Sequence, residues 1–217
     1  MAKRIFDIVV SAILLMFTAP WILLLAVWIR LDSPGDPVFR QRRVGWRGRP
    51  FAMLKFRTMR TDVNPYGMSP RSADDPRLTR LGRRLRETSL DEWPQLWNVL
   101  TGSMSLVGPR PLYERQAEKW TPHQRRRLEV KPGLTGYAQV MGRGALTHEE
   151  KIELDLVYVE RHNLALDVKL LWMTLWGGSA GQRDVYEQRY SVDRRREMES
   201  NGAEDGRRQA DEGTRVY

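Results

Sequence analysis

Cysteine is absent from this chain of 217 residues, and histidine is present at only three positions. Without cysteine, the protein can form neither disulfides nor thiolate metal sites. The histidines, His123, His148 and His162, lack the spacing of zinc ligands, which argues against a zinc site. Acidic residues are in deficit, because 27 aspartates and glutamates stand against 36 lysines and arginines. This excess of positive charge favours an anionic partner: nucleic acid, acidic lipid head groups or a phosphorylated small molecule.

The beginning of the chain differs from the rest, because residues 5–29 form a long apolar run. Only Asp7, two small hydroxyl residues and one proline interrupt it. A helix of this length reaches about 37 Å, enough to cross a hydrocarbon core of about 30 Å. Pro20 lies near the middle of the run, where a proline removes a helix hydrogen bond and bends the axis.

Basic residues flank the apolar run on both sides, with Lys3 and Arg4 before it and Arg30 after it. A straight span would put one basic flank outside the cell, against the positive-inside tendency. A helix bent at Pro20 that enters and leaves by the same face satisfies both flanks. We therefore predict a re-entrant membrane anchor over residues 1–31. A tilted spanning helix, a signal peptide and a buried core helix are the alternative interpretations of this segment.

Beyond the anchor, the sequence predicts an α+β fold that is mainly helical, with a cytosolic-face domain over residues 32–188. Residues 189–217 are polar and charge-dense, and we expect them to be disordered. A Gly-Trp-Arg-Gly turn at 45–48 predicts a small β-hairpin with strands at 38–44 and 51–59.

Amphipathic spacing and capping signals predict the helices of this domain. They are expected at 77–87, 89–100, 121–130, 147–162 and 164–176. Two of them begin with capping boxes, in which Ser89 pairs with Glu92 and Thr147 pairs with Glu150. We expect several of these helices to lie at the membrane interface.

The adjacent carboxylates Asp91 and Glu92 are the strongest candidates for chemistry. At the start of a helix, however, acidic residues are also explained by capping and by the helix dipole. Arg84, Arg86 and Arg110 lie near the pair in sequence or in adjoining loops, and such a density of cations suits a diphosphate. A carboxylate that acts on a phosphate needs a divalent cation to reduce repulsion, and Mg²⁺ is the usual one.

Four ordered motifs resemble those of the bacterial sugar transferase family, over about residues 1–180. They are KFRTM at 55–59, TSLDEWPQLWNVL at 88–100, MSLVGPRPL at 104–112 and KPGLTGYAQV at 131–140. The family consists of monotopic phosphoglycosyl transferases that open glycoconjugate pathways on polyprenyl phosphate. The chain is similar to the small form of the family, in which the anchor leads directly into the catalytic domain.

The resemblance implies a reaction and a location. A sugar 1-phosphate would pass from a UDP-sugar to polyprenyl (undecaprenyl) phosphate, with release of UMP, at the cytoplasmic face of the bacterial inner membrane. Asp91 would be the nucleophile, forming an aspartyl phosphosugar intermediate. Glu92 would position Mg²⁺ or accept a proton from the acceptor, so that both carboxylates are candidate metal ligands.

The resemblance also implies residues that contact the substrates. Those expected to neutralise substrate phosphate are Arg57, Arg86, Arg110 and Arg143. Those expected in a nucleotide and sugar loop are Pro132, Gly133, Thr135, Gly136 and Gln139. The chain departs from the family pattern at Ala19, at Ser103 and in the loop after Gln139, which leaves the choice of donor sugar open.

Two rival functions remain from the residues alone. A non-catalytic membrane-surface protein would use its basic face to bind anionic lipid head groups, but this does not require the Asp91-Glu92 pair. A nucleic-acid binder would need a recognisable binding motif, which the sequence lacks, and it would leave the anchor unexplained. We therefore expect a membrane partner and no nucleic acid, and the oligomeric state is open.

Overall fold

The computed structural model describes residues 1–64, 70, 72–142 and 145–176. As predicted, the described part is mainly helical with a small β component. Its helices are α1 (Ala2–Asp32), α2 (Arg80–Glu87), α3 (Gln95–Thr101), α4 (Glu114–Glu118), α5 (Pro122–Arg125), α6 (Tyr137–Met141), α7 (His148–Arg161) and α8 (Leu164–Leu175). Its strands are β1 (Val38–Val44), β2 (Pro50–Phe56), β3 (Ser105–Val107) and β4 (Gly133–Thr135). Arg143 and the predicted tail lie outside the described residues.

The predicted β-hairpin is confirmed, although its second strand ends at Phe56, three residues before the predicted end at Met59. Strands β1 and β2 pair antiparallel, from Val38 opposite Phe56 to Val44 opposite Pro50. The connecting turn contains Arg47 in a left-handed conformation, at φ 55°, followed by Gly48 at φ 76°. Positive φ values suit the tight turns between antiparallel strands, because they match the twist of the strands.

A second sheet was not predicted from the sequence. Strands β3 and β4 pair parallel, with Ser105 opposite Gly133 and Val107 opposite Thr135. The two backbones cross closely, since a Cβ atom on Gly133 would lie 2.1 Å from the amide nitrogen of Gly108. Glycine is therefore required at this crossing, which fixes the loop after β3 against the segment before α6.

Helices α7 and α8 agree with their predicted bounds to within one residue, whereas α2 and α3 begin later than predicted and α5 ends earlier. Helix α7 begins with the predicted capping box, in which Glu150 N–H donates to the Thr147 hydroxyl at 3.2 Å. Helix α2 is three residues shorter than predicted at its start, because Thr79 caps it by accepting a hydrogen bond from the Gly82 amide. Helix α5 also ends early, and the chain continues as a 3₁₀ turn over Arg126–Glu129.

The main core lies where α3, the second sheet, α7 and α8 meet. Its buried residues are Met53, Leu96, Val99, Met104, Leu106, Val107, Val140, Tyr158 and Leu170. A second, smaller cluster consists of Val44, Ala117, Trp120, Ile152 and Leu156. A third cluster joins the hairpin to α2 and to the end of α1, through Phe56, Leu81, Leu85 and Ile29. Asp91 and Glu92 lie on the short segment between α2 and α3.

Helix α1 packs on the domain at its beginning through polar residues. The three that make these contacts are Lys3, Arg4 and Asp7. Lys3 Nζ lies 2.5 Å from the Asp167 carboxylate, and the Arg4 guanidinium donates to backbone carbonyls near the end of α3. Asp7 accepts hydrogen bonds from the Ser105 hydroxyl and the Leu106 amide, both at 3.1 Å. The basic residues before the apolar run therefore bind the domain.

The other end of α1 contacts the same domain. Ile29 is buried in the third cluster, and Phe6 and Val10 pack against the main core, while Ile22 and Leu25 pack against the third cluster. The contacts recur at helical spacing, so that one stripe of α1 faces the domain. The rest of its surface is apolar and exposed, and in the described part of the chain α1 alone is long and apolar enough to cross a membrane.

Candidate active site

The carboxylate pair lies on a 3₁₀ turn between α2 and α3, and the predicted capping box at this position is wrong. Ser89 adopts a left-handed conformation at φ 57° and makes no capping hydrogen bond. The turn covers Leu90–Glu92, and α3 begins only at Gln95. Pro94 cannot donate a backbone hydrogen bond, so a regular helix is disfavoured across this segment. Both carboxylates are thus released from capping.

Glu92 is bound by two cations. Its Oε1 atom lies 3.0 Å from Lys55 Nζ and 2.5 Å from Arg110 Nη2. Burial disfavours the charged form of Glu92, but the charges of Arg110 and Lys55 and their hydrogen bonds outweigh this effect and hold its pKa well below the usual range. Glu92 therefore stays ionised, with one oxygen fully engaged.

Asp91 has the opposite environment. It is only 5% exposed, and no residue in the described ranges donates a hydrogen bond to its carboxylate. Burial raises the pKa of Asp91 to about 6, an effect that the nearby Lys55 charge reduces and the Glu92 charge reinforces. A desolvated, unbonded carboxylate that is still ionised near neutral pH is a competent nucleophile.

Cations surround the pair in excess. Besides Lys55 and Arg110, Arg86 lowers the pKa of Asp91, and Arg43 acts on Lys55 through its charge. We call Arg43, Lys55, Arg86 and Arg110 the cation ring. Four cations around two carboxylates leave net positive charge, which suits an anionic ligand of at least two charges.

Lys55 and Arg43 were missed as site residues in the sequence. Arg43 lies opposite Phe51 in the hairpin register, two strand positions from Met53 and four from Lys55. Because side chains alternate along a strand, Arg43 and Lys55 share one face of the hairpin. The Arg43 guanidinium stacks 3.6 Å from the centre of the Tyr113 ring, and burial lowers its pKa to about 10. The alternation of side chains along the two strands could have identified Arg43, and the position of Lys55 within the KFRTM motif could have identified Lys55.

Arg57 does not join this ring. Its guanidinium donates to the carbonyls of Pro34, at 2.8 Å, and Ser33, at 2.7 Å, just beyond the end of α1. The chain leaves β2 at Phe56, so the next side chain turns towards the end of α1. The structure thus gives Arg57 a contact with the end of α1, and the phosphate-binding role expected for it stays a prediction.

The predicted nucleotide and sugar loop lies beside the Gly-Pro-Arg-Pro segment that carries Arg110. Pro132 and Gly133 come at the start of β4, and a Cβ atom on Gly136 would lie 2.2 Å from the Gly108 carbonyl oxygen. Thr135 is buried, with its hydroxyl 2.8 Å from that of Thr174. Gly133 and Gly136 therefore pack closely against the segment at Gly108, and the Thr135 side chain contacts α8.

Gln139 is a different case within that loop. Both its amide nitrogen and its amide oxygen are buried, with no hydrogen-bond partner among the described residues. An unpaired buried amide is unfavourable and calls for an explanation, such as an unseen ligand or water. Arg143, which was predicted to bind substrate phosphate, lies outside the described residues.

A metal would have few protein ligands here. In the described part of the chain, no group of three or more histidine, cysteine, aspartate or glutamate side chains converges. Mg²⁺ commonly binds through one or two carboxylates together with substrate oxygens. The unbonded carboxylate of Asp91, next to Glu92, fits this type of site.

Comparisons with known proteins support one family. A family model described as bacterial sugar transferase matches residues 1–180. The chain is 45% identical over 174 residues to "Uncharacterized sugar transferase EpsL" of Bacillus subtilis (strain 168), covering 80% of this chain and 85% of that protein.

Two longer relatives carry more specific names. Both are named UDP-glucose:undecaprenyl-phosphate glucose-1-phosphate transferase. The one from Escherichia coli (strain K12) is 39% identical over 184 residues, covering 81% of this chain and 40% of that protein. The one from Xanthomonas campestris pv. campestris is 44% identical over 182 residues, covering 80% of this chain and 38% of that protein. The chain therefore spans less than half the length of these two relatives.

Proposed function

The chain belongs to the bacterial sugar transferase family, and from this premise we propose that it transfers a sugar 1-phosphate from a UDP-sugar to undecaprenyl phosphate. The names of the longer relatives support this donor and acceptor class. The reaction would be the first membrane step in the assembly of a glycoconjugate. Glucose is the sugar in those names, and the sugar used by this chain is left to experiment.

Asp91 is the nucleophile of the first step. One of its carboxylate oxygens attacks the β-phosphorus of the UDP-sugar, the phosphoanhydride bond breaks, and UMP leaves with the electron pair of that bond. The product on the enzyme is an aspartyl phosphosugar. The different environments of the two carboxylates support this assignment, because Asp91 is unbonded whereas Glu92 Oε1 is held by Lys55 and Arg110.

Undecaprenyl phosphate reacts in the second step. A phosphate oxygen of the lipid attacks the phosphorus of the intermediate, the bond from Asp91 to phosphorus breaks, and the carboxylate is restored. The lipid product then carries the sugar through a diphosphate. Dividing the exchange in this way means that donor and acceptor need not occupy the site together.

The cation ring holds the phosphates during both steps. Phosphoryl transfer requires mainly positioning and charge stabilisation, so fixed cations contribute more than added covalent chemistry. Arg110 and Lys55 are already oriented by Glu92 before substrate arrives. We propose that Glu92 keeps these cations in place and remains ionised throughout the cycle.

Mg²⁺ is the proposed cofactor, with Asp91 and Glu92 as its protein ligands. When bound, the ion would neutralise part of the charge of the donor diphosphate.

The membrane anchor places this chemistry at the lipid surface. A straight helix of 31 residues is about 46 Å long, longer than a hydrocarbon core of about 30 Å. Both ends of α1 contact one domain, through Lys3 and Asp7 at one end and Ile29 at the other. These contacts favour a helix that enters and leaves by one face over a helix that separates its ends across the bilayer.

Helix α8 is the second proposed membrane contact. Its exposed apolar residues Leu164, Val168, Trp172 and Leu175 recur at helical spacing, and Trp172 stacks on Trp176 at 3.8 Å. Tryptophan is enriched where a protein meets the head-group region. The acceptor phosphate lies at that level, so the proposed location is the cytoplasmic face of the inner membrane.

The observation that carries the proposal is the unbonded, buried Asp91 beside a Glu92 that two cations hold. Purified protein in detergent or nanodiscs, given a panel of UDP-sugars, Mg²⁺ and undecaprenyl phosphate, should release UMP with at least one donor. Absence of UMP with every donor, while anionic vesicles are still bound, would favour the non-catalytic membrane-surface protein.

A further inference from the structure

The segment that carries Arg110 is held through its carbonyl groups. Two of the residues in 108–112 are prolines, which have no backbone N–H to donate. Four donors from three places in the chain reach the carbonyls instead: Gly133 N to Pro109 at 3.0 Å, Arg127 Nη2 to Arg110 at 2.9 Å, and, from the end of β1, Arg43 Nη1 to Pro111 at 3.4 Å and Val44 N to Leu112 at 3.0 Å. Of these, the contact with Arg110 itself comes from a side chain.

That side chain is deeply buried. Arg127 is 3% exposed, and the same Nη2 atom that reaches the Arg110 carbonyl also donates to Asp155 on α7, which is 1% exposed. The guanidinium lies 4.9 Å from the centre of the Trp120 ring. Arg127 therefore links α7 to the backbone of Arg110, whose guanidinium in turn binds Glu92.

Stability alone does not account for this pair. Burying two charges is unfavourable, and apolar side chains of similar volume often stabilise a fold equally well. Here the pair is also incompletely satisfied, because Arg127 Nη1 and Asp155 Oδ1 have no partner in the described ranges. What an apolar replacement could not supply is the hydrogen bond to the Arg110 carbonyl.

We propose that Arg127, fixed by Asp155, is a positioning residue that acts on the substrate diphosphate only through Arg110. Fixing the Arg110 backbone restricts where its guanidinium can lie, so that the guanidinium meets both Glu92 and a phosphate oxygen. Arg127 itself touches no substrate. The inference rests on the proposed function for the identity of the anion, and its test uses inorganic pyrophosphate as the probe.

A double-mutant cycle tests the proposal by calorimetric titration of pyrophosphate into the full-length protein. Replacing the pair with apolar residues, as Arg127→Met/Asp155→Leu, leaves no unpaired charge. It should weaken pyrophosphate binding about tenfold in the otherwise native protein. In an Arg110→Ala background, the same replacement should change the affinity by less than about twofold, because the contact through which it acts is gone.

The matched control is Arg126→Met, next in the chain. Arg126 lies 3.1 Å from Glu160 on the surface and does not contact the 108–112 segment, so affinity should change by less than about twofold. If the apolar pair does not fold, Arg127→Lys should show the same tenfold loss, because the lysine ammonium ends one bond short of the Nη2 position from which both acceptors are reached.

Three outcomes would overturn the proposal: equal losses in both backgrounds, a loss with Arg126→Met as large as with the pair, or no pyrophosphate binding by the native protein. A native protein that binds pyrophosphate with the predicted cycle but turns over no UDP-sugar would contradict only the proposed function. A native protein with turnover but no coupling between Arg127 and Arg110 would contradict only this inference.

Discussion

Two charged clusters lie on either side of Arg110, and their differences indicate different tasks. Around Asp91 and Glu92, four cations exceed two carboxylates, and the cations reach partly exposed positions. In the second cluster, one arginine meets one aspartate, and both are almost completely buried. Excess charge near solvent suits the capture of an anion, whereas balanced charge in the interior suits the fixing of geometry.

The two aspartates sharpen this comparison. Burial raises the pKa of both Asp91 and Asp155 to about 6. Asp155 is bonded to Arg127, but Asp91 has no hydrogen-bond donor among the described residues. Burial thus affects the two carboxylates similarly, but Asp155 is fixed by Arg127, whereas the carboxylate of Asp91 can react.

Asp91→Asn should produce the largest effect, because it removes the nucleophile. We expect kcat to fall by at least about a thousandfold in the UMP-release assay. The melting temperature should stay the same or rise slightly, since an amide is easier to bury than a carboxylate. Turnover close to that of the native protein would remove the covalent mechanism.

Lys55→Met should reduce kcat/KM by about ten- to a hundredfold and shift its pH dependence. The Lys55 charge lowers the pKa of Asp91, so its loss should raise that pKa above about 6. Asp91 must be ionised to attack, and activity should therefore be lost at a higher pH as the solution is acidified.

The charge-matched control for this measurement is Arg83→Met, which removes an exposed cation 3.3 Å from Asp74. Its pH–rate profile should coincide with that of the native protein. A profile for Lys55→Met that moves to lower pH would contradict the electrostatic assignment.

Arg127→Met alone should act on stability, because it leaves Asp155 buried without its partner. We expect the free energy of unfolding to decrease by about 3 kcal/mol at pH 7.5. The pKa of Asp155, already about 6 with Arg127 present, should rise further without it. The penalty for the unpaired carboxylate is present above that pKa and is relieved below it.

Denaturant titrations at pH 7.5 and pH 5 would therefore give a smaller loss at the lower pH. A loss that grows on acidification would show that Asp155 is not the group responsible.

The exposed pair of Arg42 and Glu114 should have the smallest effect. Their side chains are 70% and 42% exposed, although the atoms are only 2.7 Å apart. Exposed ion pairs contribute little, so Arg42→Gln should change the melting temperature by less than about 2 °C and leave turnover unchanged. A larger effect would show that an exposed ion pair contributes to this protein as much as a buried one does.

The sequence predicted the elements that depend on local signals. The hairpin followed from its turn, and α7 followed from the capping box at Thr147. The β3–β4 sheet could not be predicted in the same way, because three-residue strands far apart in the chain have no local signature. The capping box at Ser89 failed because Lys55 and Arg110 compete for the Glu92 carboxylate, and both are remote in sequence.

The site residues also differ in whether a local sequence signal could identify them. Asp91, Glu92 and Arg110 could be chosen from their motifs, and the structure brings them together. Arg57 shares a motif with Lys55, but β2 ends between the two residues. The Lys55 side chain therefore reaches Glu92, whereas the Arg57 side chain reaches the backbone beyond α1. Arg127 and Asp155 could not be found from the sequence, because their pairing is purely tertiary.

The aspartyl phosphosugar can be detected by intact-protein mass spectrometry after incubation with the active UDP-sugar and Mg²⁺ but without lipid acceptor. We predict an added mass equal to one sugar phosphate, mapped to Asp91 by peptide sequencing and removed when undecaprenyl phosphate is added. Lipid product that accumulates with no such adduct, or an adduct mapped to Glu92 instead, would contradict the account.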